Sequence, residues 1–430
     1  MSFVAFVLLL QAAPAPTSAR TVSLQEATET ALRQQPQLVQ ARAQSLATEA
    51  RADEARAPLL PQVTANGTYQ RATNNFVPRP TQTTVATSSA ASFATADFWN
   101  FGITANQLIY DFGQTTGRWR SAQASAAAQQ SNERTTRLQT VFNVRTAYFQ
   151  ARSQKSLIQV SRETLSNQQR HLAQIQGFVE VGTRPQIDLA QARTDVANAK
   201  VQLISAENGY ASARAQLNQA MGLAGSIDYD VADDSLPAFA DEDQGTETLV
   251  QVAAATRPEL ATLARQVEAQ QQLVRSARAN YAPTLAASTG FTEAGRRLDN
   301  MTWNWNAQVT LSWSIFQGML VPAQVREAEA NLLVASSQRD AILQQLRLDV
   351  EQARLAVRAS KASLDAVEEA LVNARERLRL AEGRYQTGAG SVIELADAQI
   401  AAATSAAQRV NADYNLAAAR AQLLKALGRE

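Results

Sequence analysis

The sequence predicts a mixed fold, mainly α-helical with a transmembrane β-barrel part, built from one helix–strand–strand–helix–helix unit that occurs twice. Three observations predict it. First, Gly-Thr-Arg-Pro-Gln-Ile-Asp-Leu-Ala-Gln-Ala at 182–192 is echoed by Gly-Ala-Gly-Ser-Val-Ile-Glu-Leu-Ala-Asp-Ala at 388–398. Leu-Asn-Gln-Ala-Met-Gly at 217–222 is echoed by Leu-Leu-Lys-Ala-Leu-Gly at 423–428, and both pairs keep one offset of 206 residues (182 to 388, 217 to 423). A repeat far longer than the ~20–50 residues of a solenoid unit marks a duplicated half-molecule. Second, residues 114–176 hold no Pro and one Gly, Gly117, and residues 322–382 hold neither after Pro322. At ~1.5 Å per residue each is a helix of roughly 90 Å. Third, the period changes to two over 303–316, where Trp303, Trp305, Ala307, Val309, Leu311, Trp313 and Ile315 alternate with Asn, Gln, Thr and Ser.

Taken in order, residues 3–10 are apolar and lead into Ala and Pro. That pattern predicts a secretory signal peptide over 1–19, too short for a spanning helix of ~20 residues. Residues 23–57 read as a helix, with Leu24, Ala27, Ala31, Leu38, Ala41 and Leu46 on one stripe and Pro58 and Pro61 at its end. Residues 248–281 are its counterpart, stopped by Pro283. A strand follows in each half, carrying Val63, Ala65, Gly67 and Tyr69, and then Leu285, Ala287, Thr289 and Phe291. A loop over 74–97, with Pro78 and Pro80, matches the shorter connection 295–300. The second strand of the first half has Trp99, Phe101, Ile103, Ala105 and Ile109 on one face, with Gln107 breaking the alternation.

An apolar face carrying Trp near its ends, backed by a face of amides and hydroxyls, is the pattern of a lipid-facing barrel strand around a wet lumen. Trp99, Phe101, Trp303, Trp305 and Trp313 are the expected membrane-facing aromatics. Four strands fall short of the ~8 of the smallest barrel. Several chains are therefore expected to close the sheet, and three would supply twelve strands. After each long helix come a tight Gly turn and a shorter helix, 185–221 and 391–427. Between the halves, 225–247 holds Asp228, Asp230, Asp233, Asp234, Asp241, Glu242 and Asp243 without the ligand order of a Ca²⁺ loop. It reads as a solvated acidic linker. The organisation expected is thus 1–19 leader, 20–224 first repeat, 225–247 linker or equatorial segment, and 248–430 second repeat.

Much chemistry is excluded. The chain has no Cys and one His, His171, so thiolate and multi-His metal sites are not expected. A net charge of +1 argues against nucleic acid as a partner. Asp111-Phe112-Gly113 stands without a phosphate or catalytic loop, and 290–296 lacks the Lys-Ser/Thr of a P-loop. No enzyme, cofactor or metal is expected.

The duplicated order of elements, together with Val181-Gly182-Thr183-Arg184-Pro185-Gln186-Ile187-Asp188, the stretch from Tyr385 to Asp397 and the terminal Ala426-Leu427-Gly428, resembles the TolC-like outer-membrane efflux family (outer membrane factors). The resemblance covers nearly all of the chain after the leader. It implies a homotrimer with a twelve-strand barrel in the outer membrane and a twelve-helix tunnel reaching into the periplasm. Implied partners are a periplasmic adaptor protein, an inner-membrane transporter and outer-membrane lipid. The implied role is a passive exit duct of a tripartite efflux pump or type I secretion system, gated at the periplasmic helix tips.

Residue by residue, the resemblance places an acidic ring at Glu394 and Asp397. These are three apart on a helix and share a face, and three copies would set six carboxylates round one opening, attracting cations. It places a gate lock at Asp188 and Tyr385. Gly390 stands where the family carries a basic residue, and Arg184 of the first turn is the substitute. Val181, Gly182, Thr183, Thr387, Gly388 and Ala389 match the adaptor-contacting tips. A soluble helical adaptor or structural protein of the periplasm is the alternative; adaptors also carry long helical hairpins but lack two tryptophan-bearing strand pairs.

Overall fold

The computed structural model describes residues 20–73, 93–225 and 229–430. The signal-peptide expectation and most of the 74–97 loop lie outside the described residues, as does Asp228. The elements run β1 (Arg20–Val22), α1 (Leu24–Gln34), α2 (Pro36–Arg56), β2 (Gln62–Thr73), β3 (Thr95–Tyr110), α3 (Gln114–Glu180), α4 (Gln186–Met221), β4 (Tyr229–Val231), α5 (Thr246–Thr256), α6 (Pro258–Ala279), β5 (Thr284–Arg297), β6 (Asn300–Ser312), α7 (Leu320–Gln386) and α8 (Val392–Ala426). Two compact units result. One takes the chain to Arg42, Asn132–Pro258 and Ile342–Glu430; the other takes Ala43–Ser131 and Glu259–Ala341. Each unit draws on both repeats, because α3 and α7 contribute to both.

The single helices expected over 23–57 and 248–281 are each two helices. Gln35 and Arg257 break them, with ψ of 118° and 120°. Each precedes a proline, whose ring disfavours helical geometry in the residue before it. Both breaks are used. Gln35 Nε2 donates to the carbonyls of Gln219 (3.2 Å) and Ala220 (2.9 Å) at the end of α4. Arg257 Nε donates to Ala426 O at the end of α8 (2.7 Å) and its Nη1 reaches Asp349 (3.1 Å). Orphan C-terminal carbonyls are thereby satisfied, and Arg257 also opposes the negative end of the helix dipole. The glycine following each helix lies against the break: a Cβ on Gly222 would sit 2.7 Å from Gln35 Cα, and one on Gly428 2.9 Å from Arg257 Cα.

In the second unit the four long strands form one antiparallel sheet in the order β2-β3-β5-β6. β2 and β6 are its edges. A register shift at Leu108/Tyr110 follows the Gln107 that interrupts the alternation. The strand expected over 303–316 begins earlier, at Asn300, and ends at Ser312, paired with Thr284. Trp313 therefore lies one residue beyond the strand. Its partner strand stops at Pro283, which has no N–H to continue the ladder, and the Trp313 indole instead donates to Tyr281 O (3.1 Å). The sheet leaves its apolar face open: Trp303 is 68% exposed, Trp305 62% and Leu311 65%. No helix among the described residues is long and apolar enough to cross a membrane.

In the first unit β1 pairs in parallel with β4, Val22 opposite Val231. These six residues cover one core, in which Val144, Tyr148, Phe149, Leu217 and Met221 are buried. The acidic stretch 225–247 is only partly solvated, with the side chains of Asp233 84% and Asp243 77% exposed. Glu242 is 1% exposed. A buried carboxylate is costly without a partner, and Glu242 meets Arg420 and Lys361, while Asp230, Asp233, Asp234, Asp241 and Asp243 also find donors among the described residues.

Candidate functional site

The first unit holds both Gly turns. Gly182 and Gly388 have φ of 77° and 76°, the left-handed geometry that ends a helix and that glycine adopts without Cβ strain. At the first turn Thr183 N donates to Phe178 O (2.9 Å) and Gly182 N to Val179 O (3.0 Å). At the second, Gly390 N donates to Arg384 O (2.9 Å) and Gly388 N to Tyr385 O (3.2 Å). Val181 and Gly182 are exposed, as are Thr183, Thr387, Gly388 and Ala389. A side chain at 390 would place its Cβ 3.0 Å from Tyr385 N, so this chain's turn is closed tightly around Gly390.

Tyr385 is a core residue, 2% exposed, in a cluster with Ile175, Ala192, Leu395 and Ala398. Its ring meets His171 (5.3 Å) and Phe178 (6.3 Å) edge-on. The Arg184 guanidinium lies over it, 4.9 Å from the centroid, a cation–π contact across the two turns. Two of the three expected lock residues are thus in contact. Burial raises the Tyr385 pKa, Arg184 lowers it and the charge of Asp188 raises it. The hydroxyl has no hydrogen-bond partner among the described residues, so Tyr385 reaches Asp188 through its field and not through a bond. His171 is 8% exposed; burial holds its pKa below the usual value against Asp195 and Gln174.

Ser391 caps α8, its Oγ accepting from Glu394 N (3.1 Å), the Ser-x-x-Glu spacing of a helix start. The Glu394 carboxylate turns to Arg384, 2.8 Å away. Asp397, one turn on, is exposed. The two acids expected to act alike are therefore unequal: one is neutralised within its own chain.

A belt of ion pairs went unread in the sequence. Asp230 accepts from Lys155 (2.6 Å) and from the Tyr210 hydroxyl. Burial works against its charge, but the Lys155 and Tyr210 bonds outweigh it and hold the pKa down. Asp233 and Asp413 share Arg152, at 2.5 and 2.9 Å. Asp234 accepts from Leu24 N (2.7 Å) and lies 3.1 Å from the Tyr148 hydroxyl. Glu242 takes Arg420 (3.1 Å) and Lys361 (3.0 Å); Asp241 takes Arg429. Burial raises the tyrosines here, Tyr229 to about 12. The only available signal was an excess of acids beside long helices of mixed charge.

Residues 27–223 and 249–429 match the family described as Outer membrane efflux protein. The chain belongs to this family. The outer membrane protein TolC of Escherichia coli (strain K12) is 25% identical over 395 residues, 87% of this chain and 76% of that protein. The solvent efflux pump outer membrane protein SrpC of Pseudomonas putida is 25% identical over 325 residues, 74% of this chain and 68% of its own length. Solved structures share the fold. CusC superposes with a TM-score of 0.83 at 19% identity, covering 98% of this chain and 96% of that one. VceC of Vibrio cholerae gives 0.82 at 18%, covering 94% and 96%. This outer membrane efflux protein is therefore a mainly helical efflux channel of the outer membrane, and the soluble adaptor alternative is set aside.

Proposed function

We propose that three copies close a twelve-strand barrel and a twelve-helix tunnel, forming the passive exit duct of a tripartite efflux pump or type I secretion system. The observation that carries this is the sheet. Its strands are 12 to 16 residues long, enough for the ~9–11 a tilted strand needs to cross. Both edges and a tryptophan-bearing face are left open in the single chain. In water that surface is an aggregation hazard; in lipid, closed edge to edge, it is the one sheet that satisfies every backbone group.

The Gly turns are the periplasmic tips, offering Val181, Gly182, Thr183, Thr387, Gly388 and Ala389 to an adaptor coupled to an inner-membrane transporter. Arg184 against Tyr385 ties the two turns of one copy together, with Asp188 alongside. Asp397 lines the mouth as the unpaired acid, and Glu394 joins it when Arg384 swings away. The test is membrane fractionation with mass determination in detergent: an outer-membrane trimer with ion conductance is expected. Recovery as a soluble monomer refutes the reading.

A further inference from the structure

The two strand-to-helix junctions of the sheet-bearing unit share an unusual turn. Phe112 and Met319 are the non-glycine residues with positive φ among those described, at 54° and 67°. Each sits beside a glycine that is also positive, Gly113 at 98° and Gly318 at 58°. The repeat offset of 206 aligns Phe112 with Gly318 and Gly113 with Met319. One two-residue left-handed turn is thus built twice, with the bulky side chain first in one copy and second in the other. A bulky residue there is a steric outlier that persists only when its surroundings impose it. Asp111 does so in the first copy, its carboxylate accepting from Gly113 N (3.1 Å) and Thr115 N (2.5 Å).

The turns do not bury what they hold: Phe112 is 53% exposed and Met319 67%. Phe112 lies two residues past the end of β3 and Met319 seven past the end of β6. Tyr110 packs its ring 4.7 Å from Phe112, and Ile315, Phe316 and Leu320 are exposed beside Met319. On the helix side the chemistry changes sign. Arg118 and Arg120 are exposed, Arg56 lies 5.6 Å over the Trp119 ring, and α3 has no acid from Gln114 to Asn132. Arg118 stands four residues into α3 from Gln114, about 6 Å of helical rise. The interfacial layer is ~5–8 Å thick on each side, and arginine stems snorkel across such a gap. At the first junction, apolar side chains, then aromatics, then arginines follow the order of a bilayer's acyl edge, interface and phosphates.

We infer that the Phe112 and Met319 turns seat in the periplasmic-side interface of the membrane, and that Arg56, Arg118 and Arg120 bind the phosphates of anionic phospholipids there, Arg118 and Arg120 taking separate lipids because positions two apart point to opposite sides of a helix. This rests on the outer-membrane reading above. The test uses the full-length protein reconstituted in bilayers. The chain has no Cys, so Phe112→Cys, Met319→Cys and, on β6, Val309→Cys each take one nitroxide label, and Tyr110→Cys replaces Phe112→Cys if that variant does not assemble. All sites are expected to be more accessible to oxygen than to a water-soluble nickel chelate, with 112 and 319 shallower than 309. Lipid accessibility at 309 with water accessibility at 112 and 319 overturns the inference alone, as does shielding from both reagents, which means a second copy covers the turns. Water accessibility at 309 as well overturns the channel reading itself. Native mass spectrometry then compares phosphatidylglycerol with phosphatidylcholine. A preference for phosphatidylglycerol of at least threefold is expected, retained in Arg118→Lys/Arg120→Lys and lost in Arg118→Gln/Arg120→Gln. Equal binding of both lipids by the unsubstituted protein overturns the phosphate assignment.

Discussion

Glu242→Gln tests whether the acidic belt holds the inter-repeat segment down. Gln preserves the volume of a side chain that is 1% exposed and removes the charge facing Arg420 and Lys361. Breaking a fully buried pair costs about 3–5 kcal/mol. Here Arg420 is 16% and Lys361 30% exposed, and Lys361 keeps Asp243 at 2.8 Å, so solvent and the second acid reduce the loss. About 2–3 kcal/mol remains, a factor of roughly 30–150 in an opening equilibrium at 1.36 kcal/mol per decade. Hydrogen exchange in the native protein reads this directly. Peptides over 229–256 should exchange faster by that factor, while strand peptides over 284–312 stay unchanged. Adding Arg420→Gln should cost much less than it does alone, because the partners share one interaction. Exchange within threefold of the unsubstituted protein refutes the clamp and restores a solvated tether.

Three further outcomes are expected. Glu394→Ala with Asp397→Ala should weaken cation preference in planar bilayers, and Arg384→Gln, which frees Glu394, should strengthen it; unchanged reversal potentials remove these residues from the gate. Gly222→Ala, with φ of 74° and Gln35 Cα 2.7 Å from the new Cβ, should lower stability by about 2–3 kcal/mol, whereas Gly182→Ala, with nothing within 4 Å, should lose only about 1; equal melting temperatures contradict the close approach. The tip should loosen in acid. The folded state disfavours protonated His171, whose ordinary value is 6.5, so unfolded or opened chain binds the proton first and stability falls as pH drops below 6.5. Arg170, Glu382 and Asp195 face the same region. Exchange over 378–398, corrected for intrinsic rate, should rise between pH 7.5 and 5.5, and His171→Gln should flatten that rise.

The fold was largely legible because its signals are local. Period two at Trp303–Leu311 and the Pro-free run from Gln114 are written in consecutive residues. Pro36 and Pro258 were equally visible, yet a stripe continuing through Leu38 concealed the break. Backbone geometry before proline prevailed over hydrophobic pattern. The candidate site was legible in part. Gly182 and Gly388 announce turns through their own conformational needs, and Arg184 does meet Tyr385. Glu394 carried no sign that it is claimed by Arg384 ten residues earlier.

By itself the sequence determined that one unit is built twice, that each copy carries a long helix and two long strands, and that its helices turn at two glycines, since periodicity and turn chemistry are properties of a few adjacent residues. Only the tertiary structure decided which charges meet. Glu242 finds Arg420 at a separation of 178 residues and Asp230 finds Lys155 at 75. Coulomb attraction depends on distance in space and on burial, and neither exists until the chain's path is set.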